Sequence, residues 1–195
     1  MEYIKNPVET IEKKLSSYKI SHIVSILILN SCTFGLFATI LLEDILNELY
    51  GIILRISDYI SFNEKTTLIE IPYIKSFLIF SILCFIFINV TTFITTIIIN
   101  KVVKLKTSIT KVLKIYGLTS ITATITFIIS CISSLLNTHL TPIILFVGLF
   151  LNQYYINVTI PSICRNKDNN KLGYAVVISP ILVVSTIVLL IVSLI

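Results

Sequence analysis

The stretch NKVVKLKTSITKVLK, Asn100 to Lys114, holds five lysines and no acidic residue, and it lies between two long apolar runs. Neither the run before it, Phe77 to Ile99, nor the run after it, Ile115 to Leu136, contains an Asp, Glu, Lys or Arg. Apolar segments of that length can cross about 30 Å of hydrocarbon at about 1.5 Å per residue. The lysines therefore occupy a turn between two spans, and the side on which they stay sets the orientation of the chain.

Three further runs lie outward from this turn: Ile20 to Leu42, Pro142 to Ile163 and Tyr174 to Ile195. The expected architecture is all-α, a polytopic membrane bundle of five transmembrane helices over residues 20–195. Its spans fall at about 20–42, 77–99, 115–136, 142–163 and 174–195, with residues 1–19 as a cytoplasmic amphipathic segment. Composition agrees. Of 195 residues, 55% are hydrophobic and 13% charged, and the mean hydropathy is +0.97. That is about half the charge of a typical soluble domain, too little polar side chain for a water-facing surface. The first run is too long for the core of a signal peptide, and no small-residue cleavage site follows it.

The connecting segments carry local signals. In NPVE, Asn6 suits a helix cap, Pro7 the first helical position and Glu9 the positive end of the helix dipole. Val8, Ile11, Leu15 and Tyr18 follow at helical spacing, which predicts an amphipathic helix on the membrane surface. After the first run, Ile45, Leu49, Ile52, Ile53, Ile56 and Ile60 share a helical face. That helix either extends the first span or lies at the interface. SFNEKTT and CRNKDNNKLG read as turns, and NTHLTP as a tight connection. Pro161 and Pro180 are expected to kink or end their helices.

Counting Lys and Arg by loop gives twelve on one set of alternating sides and three on the other, while six of the ten acids fall in the first loop. Basic loops stay in the cytoplasm, so the N-terminus is expected inside and the C-terminus outside. Within the opening stretch, Val102, Leu105, Ile109, Val112 and Leu113 fall on about a third of a helix circumference. Lys104, Lys111 and Lys114 lie opposite, with Lys101 and Lys106 flanking. This predicts a helix on the inner leaflet whose five lysines face lipid or a partner, or else serve orientation alone. The net charge of +5 and pI near 9.0 then reflect topology and anionic headgroups. They do not point to nucleic acid, since aromatic–basic interleaving is absent.

The spans offer little chemistry. No charged side chain lies within any of the five, which argues against proton relays, ion pathways and voltage sensing. There is no HExxH, no Walker loop and no pair of intramembrane aspartates. The four cysteines, Cys32, Cys84, Cys131 and Cys164, form no CxxC pair and read as small packing residues. His22 and His139 fall at span ends. Ser133 or Ser134 with His139 is the sole candidate for nucleophile and base, and a loop histidine serves that role poorly. No enzyme activity, metal or cofactor is expected. The spans are nonetheless rich in Ser and Thr, which suits helix packing in lipid. Asn152, Gln153, Tyr154 and Asn157 stand out, because buried amides need partners. They line a small polar cavity, or they face an interior packed with polar groups.

In layout, this chain resembles the YIP1 family of five-span membrane proteins, above all its bacterial branch. NPVETIEKKL, Asn6 to Leu15, is similar to the family's proline-led amphipathic stretch. KLKTSITKVLKIYGLTSI, Lys104 to Ile121, is similar to the linker before its third span, where a basic stretch leads through a small-residue step into a helix with Tyr116–Gly117. The resemblance implies a non-enzymatic scaffold or adaptor that binds membrane or peripheral proteins; eukaryotic members bind small GTPases of vesicle traffic. A membrane-protein partner or a homo-oligomer is expected beside the lipid bilayer. It brings no catalytic residues. Two other classes suit the chain: a permease or transporter subunit using the polar cavity, and an immunity protein against a membrane-acting toxin. The wealth of Ile, Lys and Asn fits an AT-rich bacterial genome and hence a bacterial cell membrane.

Overall fold

The computed structural model describes residues 7–59, 72–136, 140–164, 177–181 and 184. These residues form helices and their connections. α1 spans Pro7–Ser17, α2 Ile20–Tyr59, α3 Tyr73–Lys101, α4 Ile109–Leu135 and α5 Thr141–Cys164. Residues 177–181 and 184 are helical as well. Four helical segments are long and apolar enough to cross a membrane: Ile20–Leu49, Tyr73–Lys101, Ile109–Leu135 and Thr141–Pro161. They correspond to the first four expected spans. The fifth, 174–195, lies outside the described residues apart from the few helical positions above. So do Asn6, His139, the SFNEKTT turn and most of CRNKDNNKLG.

The four helices alternate in direction. Tyr73 at the start of α3 lies beside Glu43 of α2, and Thr95 of α3 meets Tyr116 of α4. Thr126 of α4 packs on Gly148 of α5. α4 is the central element. Its most apolar window is 67% buried, against 17% for α3 and 22% for α5, whose outward faces are left to lipid. Its apolar and small residues accordingly run all around the helix. Small residues let the helices approach closely, as helix pairs in lipid require. A Cβ on Gly117 would lie 2.5 Å from Ile23 Cγ2, and one on Gly148 would overlap the Thr126 side chain.

The structure decides between the two alternatives left open after the first run, and it departs from the sequence reading in three places. α2 does not stop at Leu42; it continues unbroken to Tyr59, 40 residues in all. The apolar face of the following segment therefore extends the first helix. At about 60 Å that helix is twice the thickness of the hydrocarbon, and Glu43, Asp44 and Glu48 mark where it leaves the apolar zone. α3 begins earlier than expected and carries Lys75 in its first turn. α1 forms as expected from Pro7, but its apolar face meets protein rather than lipid. Ile11 is fully buried with Ile23, Leu27 and Leu118, which favours docking by about 1.5–3 kcal/mol relative to an aqueous surface. On the far face of α1, Glu9 and Lys13 pair at 2.7 Å. That hydrogen bond and the lysine charge hold the Glu9 carboxyl below the usual carboxylate range.

The third departure concerns the opening stretch. It is not one amphipathic helix: α3 ends at Lys101, residues 102–108 are non-helical, and α4 begins at Ile109. The apolar spacing across Val102, Leu105 and Ile109 is real, but stronger local signals break the helix. Ser108, in extended conformation, caps α4 through its hydroxyl, which accepts from the Lys111 N–H at 3.3 Å. Lys104 takes a left-handed backbone, φ 58°, which no continuous helix permits.

Candidate functional site at the basic end

Asn100 closes the linker. Its Nδ2 donates to the Thr107 carbonyl at 2.9 Å, while its Oδ1 accepts from the Thr107 N–H at 2.7 Å. The amide thus does for the loop what a paired strand would do. The Val102 N–H donates to the Ile98 carbonyl at 2.8 Å, and the Leu105 N–H to the Ile99 carbonyl at 3.2 Å, so the chain turns back on the end of α3. Leu105 and Val103 tuck against the cluster of Ile99, Val112, Ile115, Tyr116, Ile156 and Ile160. What remains outside is charge. Lys101, Lys104 and Lys106 are exposed, and an open depression of about 480 Å³ is lined by Asn100, Lys104, Leu105, Lys106, Thr107 and Ser108.

The other two lysines belong to α4 and do a different job. Lys111 is half-buried on its first turn. Lys114, also half-buried, donates from Nζ to the backbone carbonyl of Leu15 at 3.0 Å. That carbonyl belongs to the last turn of α1, where unpaired carbonyls and the helix dipole favour a cation. Lys114 therefore fastens the N-terminal helix to the bundle and is not turned to lipid. Lys13 and Lys19 are exposed beside it, and Lys14 lies 6.0 Å from the centre of the Tyr18 ring. The basic residues of α1, of the linker and of the start of α4 thus share one end of the bundle. Glu43, Asp44 and Glu48 occupy the other.

The second expected site is only partly assembled. Asn152, Gln153 and Asn157 are half-buried on α5. The Oδ1 atoms of Asn152 and Asn157 are buried with no hydrogen-bond partner among the described residues. Tyr154 points elsewhere: it is 52% exposed, beside Tyr155 at 5.9 Å between ring centroids. It stands on the outer side of α5 because it lies two positions from both Asn152 and the buried Ile156.

The structure also shows polar contacts that the sequence did not single out. Thr95 Oγ1 lies 3.0 Å from Tyr116 Oη and 2.6 Å from Ser179 Oγ. It is also 2.8 Å from the Thr91 carbonyl of its own helix, so three polar groups converge on this one hydroxyl. Thr124 of α4 donates to Asn30 Oδ1 of α2 at 3.1 Å. Most other span hydroxyls, including Ser31, Thr39, Thr92 and Thr96, donate to carbonyls of their own helix. They work as small packing surfaces rather than bridges. Of the two candidate nucleophiles, Ser134 donates to Asp44 Oδ2 at 2.8 Å, and Ser133 accepts from Thr141 at 3.0 Å. Both tie helix ends together. Among the described residues, no group of three or more His, Cys, Asp or Glu could hold a metal ion.

The described residues, helical throughout apart from short connections and with four apolar helices of spanning length closely packed through small residues, fit an integral membrane protein. No known protein family, curated protein or solved structure matches it.

Proposed function

We propose that the chain is a non-enzymatic membrane scaffold or adaptor of YIP1-like type. It crosses the bacterial cell membrane five times, with the N-terminus cytoplasmic and the C-terminus outside. Its working surface is the basic end, which meets anionic headgroups and a membrane or peripheral partner. The observation that carries this reading is the linker closed by the paired hydrogen bonds of Asn100 and Thr107, which leaves Lys101, Lys104 and Lys106 exposed. A segment needed for orientation alone has no reason to be so ordered.

The test replaces Lys101, Lys104 and Lys106 together with Gln, sparing Lys111 and Lys114. Each lysine near an anionic surface contributes about 1 kcal/mol. Recovery of crosslinked partners from native membrane is therefore expected to fall by up to about a hundredfold. Unchanged topology together with an unchanged partner set would refute the proposal.

A permease subunit is the second reading, favoured by the unpartnered oxygens of Asn152 and Asn157. Its sign would be water reaching Asn152 from one side of the membrane.

A further inference from the structure

We infer that α1 is a two-position lid, an amphipathic helix that exchanges between the bundle and an anionic lipid surface, with Lys114 as the cation for which the two positions compete. This rests on the membrane reading above and gives its basic end a moving part.

The closed position is the one observed. Ile11 is buried among Ile23, Leu27 and Leu118, and Lys114 Nζ holds the Leu15 carbonyl at 3.0 Å across 99 positions of sequence. In water the apolar contact would dominate and keep the helix down. At a bilayer surface it discriminates poorly. Acyl chains solvate the apolar face of an amphipathic helix almost as well as protein does. The same chains can cover Ile23, Leu27 and Leu118 once α1 has left. The balance then falls to polar contacts made in one position only, and the Lys114 hydrogen bond is one of these.

The open position has its own attraction. The released ammonium of Lys114 lies at the end that already carries Lys101, Lys104 and Lys106. There a headgroup phosphate can take the place of the carbonyl. α1 meanwhile brings the exposed Lys13 to the same surface, beside Lys19 at its base. Anionic lipid therefore favours the open lid, and zwitterionic lipid the closed one. The non-helical residues Tyr18 and Lys19 between α1 and α2 provide the hinge.

Pulsed electron spin resonance on the full chain tests this. Cys32, Cys84, Cys131 and Cys164 are replaced with Ala, and spin labels are placed at Glu9→Cys, far from the hinge on the exposed side of α1, and at Val102→Cys, which is 69% exposed. In phosphatidylcholine nanodiscs a single short distance is expected; in phosphatidylglycerol nanodiscs a second, longer population appears. Lys114→Met keeps the apolar stem and removes the ammonium, so it should raise the open fraction in phosphatidylcholine at least about tenfold. Lys114→Arg should restore the closed distance, which separates a lost cation from a damaged fold. Identical distances for the parent chain in both lipids, or a closed lid in Lys114→Met, would overturn the inference. Failure of the scaffold reading would appear instead as unchanged partner recovery in the triple Gln variant, with these distances unaffected.

Discussion

Replacing Gly35 with Val is expected to destabilise the bundle by about 1–3 kcal/mol, the range for forcing extra atoms into a close-packed contact. At Gly35, α2 lies directly on the backbone of α3. A Cβ there would overlap Ser81 Oγ and would lie 2.8 Å from the Phe77 carbonyl oxygen and 3.0 Å from the Ser81 nitrogen. The Ser81 hydroxyl can rotate away, but the Phe77 carbonyl is part of a helix and cannot. Relief requires the two helices to separate, which costs packing along their whole contact in a medium that offers no hydrophobic compensation. Unfolding by titration with denaturing detergent, followed by labelling of Cys84, should show the loss. Leu36→Ala is the control. Leu36 is the next residue on α2 but is 50% exposed to the surroundings, and its truncation should change stability by no more than about 0.5 kcal/mol. Equal effects from the two substitutions would mean that the α2–α3 contact is not as close as described.

The second large effect is expected at Thr95. Thr95→Val preserves shape while removing the oxygen that Tyr116 and Ser179 both meet. Two buried hydroxyls would then each lose one hydrogen bond. Interhelical hydrogen bonds in membranes average about 0.6 kcal/mol and reach about 1.7, so the pair is worth about 1–3 kcal/mol. Tyr116→Phe should cost less, because the Ser179 bond survives it. A double-mutant cycle between Thr95→Val and Tyr116→Phe should leave a coupling near the value of one such bond. Additive losses would show that the two hydroxyls do not interact.

Much of the architecture is legible in the sequence because lipid imposes long, uncharged runs. Ile20 to Leu42, Phe77 to Ile99, Ile115 to Leu136 and Pro142 to Ile163 each coincide with a helix. The ends are less legible, since a helix need not stop where it leaves hydrocarbon. α2 passes Glu43 and Asp44 because nothing there disfavours a helix, and their carboxylates find Tyr73 and Ser134. The linker misleads for a different reason. Helical periodicity in Val102, Leu105 and Ile109 is a sum over residues, whereas the break is made by Asn100, Lys104 and Ser108 acting singly. Ser108 ahead of an apolar run is a readable cap signal, but the pairing of Asn100 with Thr107 is not visible before the loop is closed. Lys114 could not be told apart from its neighbours, because its partner is a main-chain carbonyl 99 residues away. The same holds for Thr95, one of many threonines on α3, whose role depends on which hydroxyls from other helices reach it.

The proposed orientation puts the lysine-bearing end and the acidic end of this bundle on opposite sides of a membrane, with the lysines inside. Single cysteines at Lys104→Cys and Glu48→Cys, in the background lacking native cysteines, test it with a membrane-impermeant maleimide. In intact cells Glu48→Cys should react and Lys104→Cys should not, and permeabilisation should open the second. Reaction of both from outside, protection of both until permeabilisation, or recovery of the chain in the soluble fraction would contradict the account.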